Sequence, residues 1–228
     1  MSDPYDGDVG VHYRTSRERF TAFILQLSPD ELATAVPSCP GWSVRDVLGH
    51  VAGITDDALH GRIKGIPDDV QTAEQVERSA QFSVDELIMR WETQSLDFQA
   101  VLTSVGPSIA PAAIDVAAHE QDIRGALGKP GSRYNATIAW ALPMMIYGFT
   151  RRVEKAGLPP VRVEVEGDVL AEGVPDGLVL RISQHEAFRS LLGRRSWEQV
   201  ATCDWSGDPG DVLQVFFTFG PAAENIYD

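Results

Sequence analysis

The chain has 228 residues, of which 33 are acidic and 19 are basic, so its formal net charge is −14. Lys and Arg neutralise nucleic-acid phosphates and attract anionic lipid headgroups, so this excess of acid argues against both kinds of partner. With 43% hydrophobic and 23% charged residues, the composition is that of an ordinary globular protein with its own core.

The cysteines and the apolar runs indicate a cytoplasmic protein. Two cysteines, Cys39 and Cys203, cannot form a disulfide framework, and whether they are free or bridged stays open from the sequence. Free thiols suit a reducing cytosol. Residues 1–10 show no basic region followed by an apolar stretch, and no run approaches the roughly 20 apolar residues of a membrane span.

The first two thirds of the chain have apolar residues at helical spacing. Ser28 before Pro29 predicts a short helix, and Ser43 and Ser83 are good N-caps, the latter forming a capping box with Glu86. Residues 64–82 are polar and predict a long loop with one short helix near 73–79. The long helices are predicted over residues 9–27, 44–63, 84–105, 108–127 and 136–156.

After Pro160 the apolar pattern changes from helical spacing to alternation, which is typical of half-buried strands. Strands are predicted at residues 161–165, 169–171, 178–182 and 200–205, and short helices at 185–192 and 208–217. The sequence therefore predicts an α+β fold. A helical bundle would occupy residues 1–158, and a small α+β domain residues 159–228.

Common catalytic motifs are absent from the sequence. It contains no HExxH pair, no GxSxG elbow, no Walker loop and no GxGxxG after a strand. These absences argue against the usual zinc proteases, serine hydrolases, nucleotide hydrolases and dinucleotide enzymes.

One local pattern is compatible with a metal site. Asp115 and His119 lie four residues apart on a predicted helix, so both face one side and can bind a single divalent cation. An isolated pair of this kind is more often a solvent-facing ion pair. His50, at the edge of an apolar stripe, is by itself more often a core histidine. Together the three residues give the ligand set of a catalytic zinc ion with one open position.

Two motifs resemble a known family. Residues 39–53, CPGWSVRDVLGHVAG, and residues 115–128, DVAAHEQDIRGALG, resemble the signature of the actinobacterial mycothiol-dependent maleylpyruvate isomerase family. Its N-terminal part is a DinB-like four-helix metal-binding bundle. Residues 191–196 and 205–209 resemble, more weakly, the small sterol-carrier-like domain of that family. The resemblance covers nearly the whole chain.

The resemblance implies a divalent cation, with zinc expected, bound by His50, Asp115 and His119. The family's acid is commonly Glu, and Asp is shorter by one methylene. The open position would bind mycothiol or another low-molecular-weight thiol, and the cation's charge would deprotonate it. Addition of the thiolate to an activated alkene, bond rotation and departure would give cis–trans isomerisation, whereas attack on an electrophile would give S-transfer.

Other residues are interpreted with less support. Arg194 and Arg195 are the candidate catalytic residues, because a guanidinium suits substrate or cofactor carboxylates. Their alternative is a charge pair facing water at a helix end. Asp122 is a candidate to orient His119 or Arg124, and Cys39 is interpreted as a small packing residue. The remaining histidines, for which a ligand role is not expected, are His12, His60 and His185.

The sequence thus predicts a metal- and mycothiol-dependent isomerase or S-transferase that acts on a small electrophilic or unsaturated acid. We expect a monomer or homodimer. The alternative is a non-catalytic metal- or ligand-binding or regulatory protein on the same scaffold. A lipid carrier built on the C-terminal domain is disfavoured, because its strands alternate charge too regularly to line a large apolar cavity.

Overall fold

The computed structural model describes residues 7–63 and 65–228. Residues 1–6, which enter the prediction about a signal peptide, and residue 64, where the polar loop is predicted to begin, lie outside the described residues. Contacts divide the described chain into two units. We call residues 7–131 with Asp228 the helical unit, and Ser132–Tyr227 the C-terminal unit.

The helical unit is a bundle of four long helices with two short ones between them. Among the long helices, α1 contacts α5 and α6, and α3 does the same. This arrangement confirms the predicted four-helix bundle. The helices are α1 (Val9–Ile24), α2 (Pro29–Leu32), α3 (Val44–Leu59), α4 (Asp69–Ser79), α5 (Val84–Val105) and α6 (Pro111–Ala126).

Local sequence fixes where α3 begins. The Ser43 hydroxyl accepts a hydrogen bond from the backbone N–H of Asp46, and the Asp46 carboxylate accepts one from the backbone N–H of Ser43. This capping box satisfies two N–H groups that the helix itself leaves unbonded. It therefore sets the rotational phase of α3, which buries Val47, Val51 and His50.

Several helix boundaries differ from the prediction for identifiable reasons. Residues Gly106–Ile109 form a 3-10 turn rather than the start of α6, because Gly106 has a φ of +76° that ends α5. Helix α6 begins only at Pro111. Helix α4 begins earlier than predicted, because Asp68 and Gln71 form a capping box there. Helices α1 and α3 end earlier than predicted, at Ile24 and Leu59.

The C-terminal unit combines a long helix with a four-stranded sheet of order β2-β1-β3-β4, in which β1 and β3 are parallel and the outer pairs antiparallel. Of the segment predicted as a strand at 200–205, Asp204 and Trp205 form a strand, whereas Val200 and Ala201 end a short helix. The helix predicted at 208–217 is a 3-10 helix, Gly210–Val215. The elements are α7 (Ala136–Lys155), β1 (Arg162–Val165), β2 (Asp168–Ala171), β3 (Val179–Ile182), α8 (Gln184–Leu191), α9 (Trp197–Ala201) and β4 (Asp204–Trp205).

Helix α7 belongs by its contacts to the C-terminal unit. It contacts α8 and β2, and its Ile146 and Phe149 lie with Val163 and Leu180 around one void of about 10 Å³. The division between units therefore falls between residues 131 and 132, earlier than the predicted boundary at 158/159. Helical periodicity identifies an apolar face but not the element that covers it. The void is too small for an acyl chain and gives the lipid-carrier idea no support.

Within the described residues, no single helix is long and apolar enough to cross a membrane. Helices Val84–Ile109 and Pro111–Ala126 pass the length and composition test as a pair, with a bend of 96° between them.

Candidate metal centre

Helices α3 and α6 bring the three predicted ligands together. His50 Nε2 lies 3.6 Å from Asp115 Oδ2, and His119 Nε2 lies 3.5 Å from Asp115 Oδ1. One ligand atom from each residue falls within 4.8 Å of the others. His50 and His119 are buried, at 4% and 5% exposure, whereas the Asp115 side chain is 33% exposed. The cluster is therefore embedded in the bundle and accessible on the Asp115 side.

These separations discriminate between a hydrogen-bonded cluster and a ligand set. Good N–H···O bonds span about 2.7–3.2 Å, so the two imidazole–carboxylate distances are longer than normal. Zinc binds imidazole nitrogen and carboxylate oxygen at about 2.0–2.2 Å, which places two ligands on a tetrahedral ion roughly 3.3–3.5 Å apart. Each observed distance is closer to the second geometry, with the two imidazoles facing different oxygens of the Asp115 carboxylate.

The second ring nitrogen of His50 is fixed by a neighbouring amide. His50 Nδ1 lies 2.8 Å from Gln75 Oε1. An amide oxygen only accepts, so Nδ1 is the nitrogen that carries the proton and Nε2 is the one with a free lone pair. The Trp42 ring lies beside His50, with a centroid distance of 5.0 Å. These contacts orient the ring with Nε2 towards Asp115.

The second ring nitrogen of His119 is fixed in the same way from its own helix. His119 Nδ1 lies 3.0 Å from the buried Asp122 Oδ2. Cys39 Sγ lies 3.7 Å from both of these atoms, and its thiol donates to Asp122. A carboxylate behind a metal-binding imidazole is a common arrangement, because it fixes the ring and strengthens it as a ligand. Asp122 thus orients His119, as the sequence predicts.

The charges of the cluster reinforce one another. Burial by itself raises the pKa of the Asp115 carboxyl, but the neighbouring imidazoles, His119 foremost, outweigh it and hold that pKa well below 3.8. Burial lowers the pKa of the His119 imidazole, but Asp115, Cys39 and Asp122 outweigh it and raise that pKa well above 6.5. Without a cation, the pair is an ionised carboxylate beside a protonated imidazole. A divalent cation would replace that proton.

The residues present fit a divalent cation. Two imidazole nitrogens and one carboxylate oxygen converge, and the Nδ1 of each imidazole is held by a separate acceptor. Three protein ligands with one accessible side are the donor set of catalytic zinc sites. Cys39, His119 and Asp122 form a second group whose ligand atoms lie within 4.8 Å. It shares His119 but uses the opposite ring nitrogen.

The two predicted catalytic arginines lie in the C-terminal unit and differ from each other. Arg195 is 4% exposed, and its Nε and Nη2 donate to the two carboxylate oxygens of Glu186 at 2.6 and 3.0 Å. This buried ion pair is neither the water-facing pair nor the open carboxylate-binding fork considered from the sequence. Arg194 is partly exposed and donates from Nη1 to the Leu192 carbonyl at 3.0 Å.

Sequence reasoning missed several residues around His50. Gln75 lies in the segment predicted mainly as a polar loop, and neither Gln75 nor Asp57 is a candidate from the sequence, yet they are 1% and 4% exposed. Arg45, also not a candidate, donates to the carbonyls of Ser79 and Phe82. A useful signal was the pair of glycines, Gly49 and Gly53, which leaves one face of α3 open to another backbone.

Comparison with known proteins agrees with this architecture. A family model described as the mycothiol maleylpyruvate isomerase N-terminal domain matches residues 13–124. Among solved structures, a histidine-to-alanine mutant of mycothiol-dependent maleylpyruvate isomerase matches with a TM-score of 0.51 and 14% identity, covering 85% of this chain and 92% of that one. At that identity the likeness shows the fold alone. The search of curated proteins gives no match.

Proposed function

Because the helical unit belongs to the mycothiol maleylpyruvate isomerase N-terminal domain family, we propose that the protein is a metal- and low-molecular-weight-thiol-dependent isomerase or S-transferase. Its substrate would be a small electrophilic or unsaturated acid, and mycothiol is the first thiol to test. The observation that carries the proposal is the convergence of His50 Nε2, the Asp115 carboxylate and His119 Nε2 within 4.8 Å.

Each residue of the cluster has a defined part in this proposal. His50, Asp115 and His119 would hold the cation, and zinc is the expected one because imidazole and carboxylate ligands in a four-coordinate site suit it. When bound, the cation would supply positive charge that lowers the pKa of a coordinated thiol. Gln75 and Asp122 hold the two imidazole rings. Asp115, the most exposed of the three ligands, marks the side open to small molecules.

The cysteines of the chain support a borrowed thiol. Burial raises the pKa of the Cys203 thiol to about 11, so Cys203 stays protonated near neutral pH and is a poor nucleophile. Cys39 is 8% exposed, and its thiol donates to Asp122. Neither thiol is placed to attack a substrate in water, which favours a nucleophile supplied by a small molecule.

The carboxylate-binding part of the proposal rests on Arg194 more than on Arg195. Two hydrogen bonds to Glu186 neutralise Arg195, so a substrate carboxylate would have to displace that partner. Arg194 is more exposed than Arg195 and donates from Nη1 to the Leu192 carbonyl, so it is the more accessible of the two to an acid. We retain both as proposals and rank Arg194 first.

A non-catalytic binding protein on the same scaffold is the second candidate. The closed Arg195–Glu186 pair favours it, because it removes one of the two arginines expected to bind substrate. Such a protein would bind the cation, and even the thiol, without turning over a substrate.

One experiment separates these possibilities. Full-length protein purified without added metal is analysed for metal content and assayed with maleylpyruvate and with small electrophiles, each with and without mycothiol. The proposal expects about one zinc-like ion per chain and turnover only with the thiol. A bound ion without turnover on any substrate supports the binding protein. No bound ion in the wild type, or a bound ion whose amount is unchanged in His50→Ala and His119→Ala, overturns the site assignment.

A further inference from the structure

The two buried residues of helix α4 are both polar, Gln75 and Ser79. Its C-terminal end is held by Arg45, whose Nη2 donates to the Ser79 carbonyl at 2.8 Å. The apolar Val76 is only half-buried, so the short helix gains little from the hydrophobic effect. Specific polar contacts must therefore decide whether α4 stays on α3.

Two glycines on α3 let α4 approach the metal centre. A Cβ at Gly53 would lie 2.8 Å from Gln75 Cβ, and a Cβ at Gly49 would lie 2.1 Å from Ser79 Oγ. Both separations are below van der Waals contact, so any side chain at Gly53 would push α4 away. Gly49 directly precedes His50 and Gly53 follows it by three residues. The close approach is thus built around the ligand histidine.

The Gln75 amide bridges His50 and a buried carboxylate. Gln75 Nε2 donates to Asp57 Oδ2 at 2.8 Å, while Oε1 lies 2.8 Å from His50 Nδ1. A carboxylate only accepts hydrogen bonds, so the amide nitrogen must face Asp57 and the amide oxygen must face His50. The amide cannot flip without losing both bonds.

Asp57 is in turn held by two arginines. Arg62 Nε donates to Oδ1 at 2.6 Å, and Arg78 Nη2 donates to both oxygens at 2.6 and 2.7 Å. Arg78 is on α4, whereas Asp57 is on α3. The carboxylate therefore ties the two helices together and fixes the amide of Gln75 at the same time.

From this geometry we propose that α4 is a working part of the metal centre, with Gln75 as a positioning residue that holds His50 as its Nδ1–H tautomer. His50 Nε2 is then available to a cation only while α4 is docked. The inference rests on the proposed cation site at His50, and it adds a helix that neither sequence motif includes.

The coupling must run in both directions. If docking of α4 favours cation binding, then cation binding favours docking of α4 by the same factor. A helix held by few polar contacts opens at low cost, so the effect should be visible as local opening. Cation binding is therefore expected to slow hydrogen exchange in α4 more than in α1.

The test compares two full-length variants with the wild type. Gln75→Met keeps the length of the side chain and removes both hydrogen bonds. Gln26→Met makes the same chemical change at an exposed position of the helical unit. Two quantities are measured: the His50 tautomer in metal-free protein, by long-range ¹H–¹⁵N NMR at pH 8, and the Co²⁺ dissociation constant, by competition with a chromophoric chelator.

Wild-type His50 is expected to carry its proton on Nδ1. Gln75→Met should lose that preference and weaken Co²⁺ binding by about 10- to 100-fold, the usual cost of removing a partner behind a metal ligand. Gln26→Met should change neither quantity.

Unchanged tautomer and affinity in Gln75→Met overturn the inference, as does an Nε2–H tautomer in the wild type. Measuring the His50 tautomer requires no metal, thiol or substrate. The measurement therefore tests the role of Gln75 on α4 independently of the proposed function. If wild-type protein binds no Co²⁺, the proposed function fails, and the tautomer still decides whether Gln75 positions His50.

Discussion

Both units of the molecule bury charged side chains, but the distances between the charged groups differ. In the C-terminal unit, Arg195 is bonded to both oxygens of Glu186 at 2.6 and 3.0 Å. In the helical unit, two buried imidazoles face Asp115 at 3.5 and 3.6 Å. The first pair satisfies itself at hydrogen-bond distance, whereas the second set is spaced for an atom between its members.

The difference shows how a structural ion pair can be distinguished from a binding site. In the helical unit the outward nitrogens are already bonded, His50 to Gln75 and His119 to Asp122, so the inward nitrogens are left for a ligand. In the C-terminal unit the Arg195 guanidinium directs Nε and Nη2 at the Glu186 carboxylate itself. Burial alone does not distinguish the Arg195–Glu186 pair from the cluster around Asp115. The lengths of the contacts, and the atoms between which they are made, do distinguish them.

Removing a ligand histidine is the largest expected effect. His119→Ala deletes one of three ligand atoms, so cation affinity should fall more than about 100-fold, beyond the loss from an outer partner. The measurement is Zn²⁺ competition against a chelator. His60→Ala, an exposed histidine at the end of α3, is the matched control and should bind as the wild type does. Equal losses in the two variants would contradict the site.

Removing the buried arginine should affect stability and not the cation. Arg195→Ala leaves Glu186 without its partner, but Glu186 is 31% exposed, so water compensates part of the loss. We expect destabilisation of about 1–3 kcal/mol, less than for a fully buried pair, measured by urea unfolding. Zn²⁺ affinity should stay within about twofold. A large loss of affinity with unchanged stability would contradict a structural role for the pair.

The metal-free cluster should also leave a pH signature. The raised pKa of His119 contributes stability that is complete below its ordinary value of 6.5 and is lost as pH rises through the folded value. The lowered pKa of Asp115 contributes stability that is present above 3.8 and is lost as pH falls through its folded value. Metal-free protein should therefore lose stability as pH rises above 6.5 through the folded pKa of His119, whereas His119→Gln should show a weaker dependence. Thermal unfolding in a chelator tests this, and a wild-type profile identical to that of His119→Gln would contradict it.

Lengthening the acid ligand should have the smallest effect. The resembled family commonly has Glu where this chain has Asp115, which is 33% exposed and has room to move. Asp115→Glu should change Zn²⁺ affinity by less than about tenfold, whereas Asp115→Asn, which removes the charge, should weaken binding further. Chelator competition measures both. If Asn binds as tightly as Asp, the carboxylate is not a ligand.

The sequence predicted the cluster because its information is local. Asp115 and His119 lie one turn apart on a single helix, and the capping box at Ser43 fixes the phase of the helix that carries His50. The hydrogen bonds that join His50 to Gln75 and Gln75 to Asp57 were not predictable from the sequence. They depend on where α4 docks, and its largely polar residues show no apolar period from which a buried face could be predicted.

The same limit explains the C-terminal unit. Helical spacing identified α7, but its position against the sheet and α8 depends on contacts distant in sequence. The Arg195–Glu186 pair joins α8 to a residue nine positions away across a loop. In the sequence, two neighbouring arginines at a predicted helix end do not indicate that one of them forms an ion pair with an acidic residue.

X-ray absorption at the zinc edge of the full-length protein tests the metal centre most directly. In the absence of thiol, we predict a shell of nitrogen and oxygen at about 2.0–2.1 Å with two imidazoles, and no sulfur. Adding mycothiol should introduce one sulfur at about 2.3 Å in the wild type and in Cys39→Ser alike. A sulfur neighbour before thiol is added, lost in Cys39→Ser, would place the ion between Cys39, His119 and Asp122 and contradict the assignment.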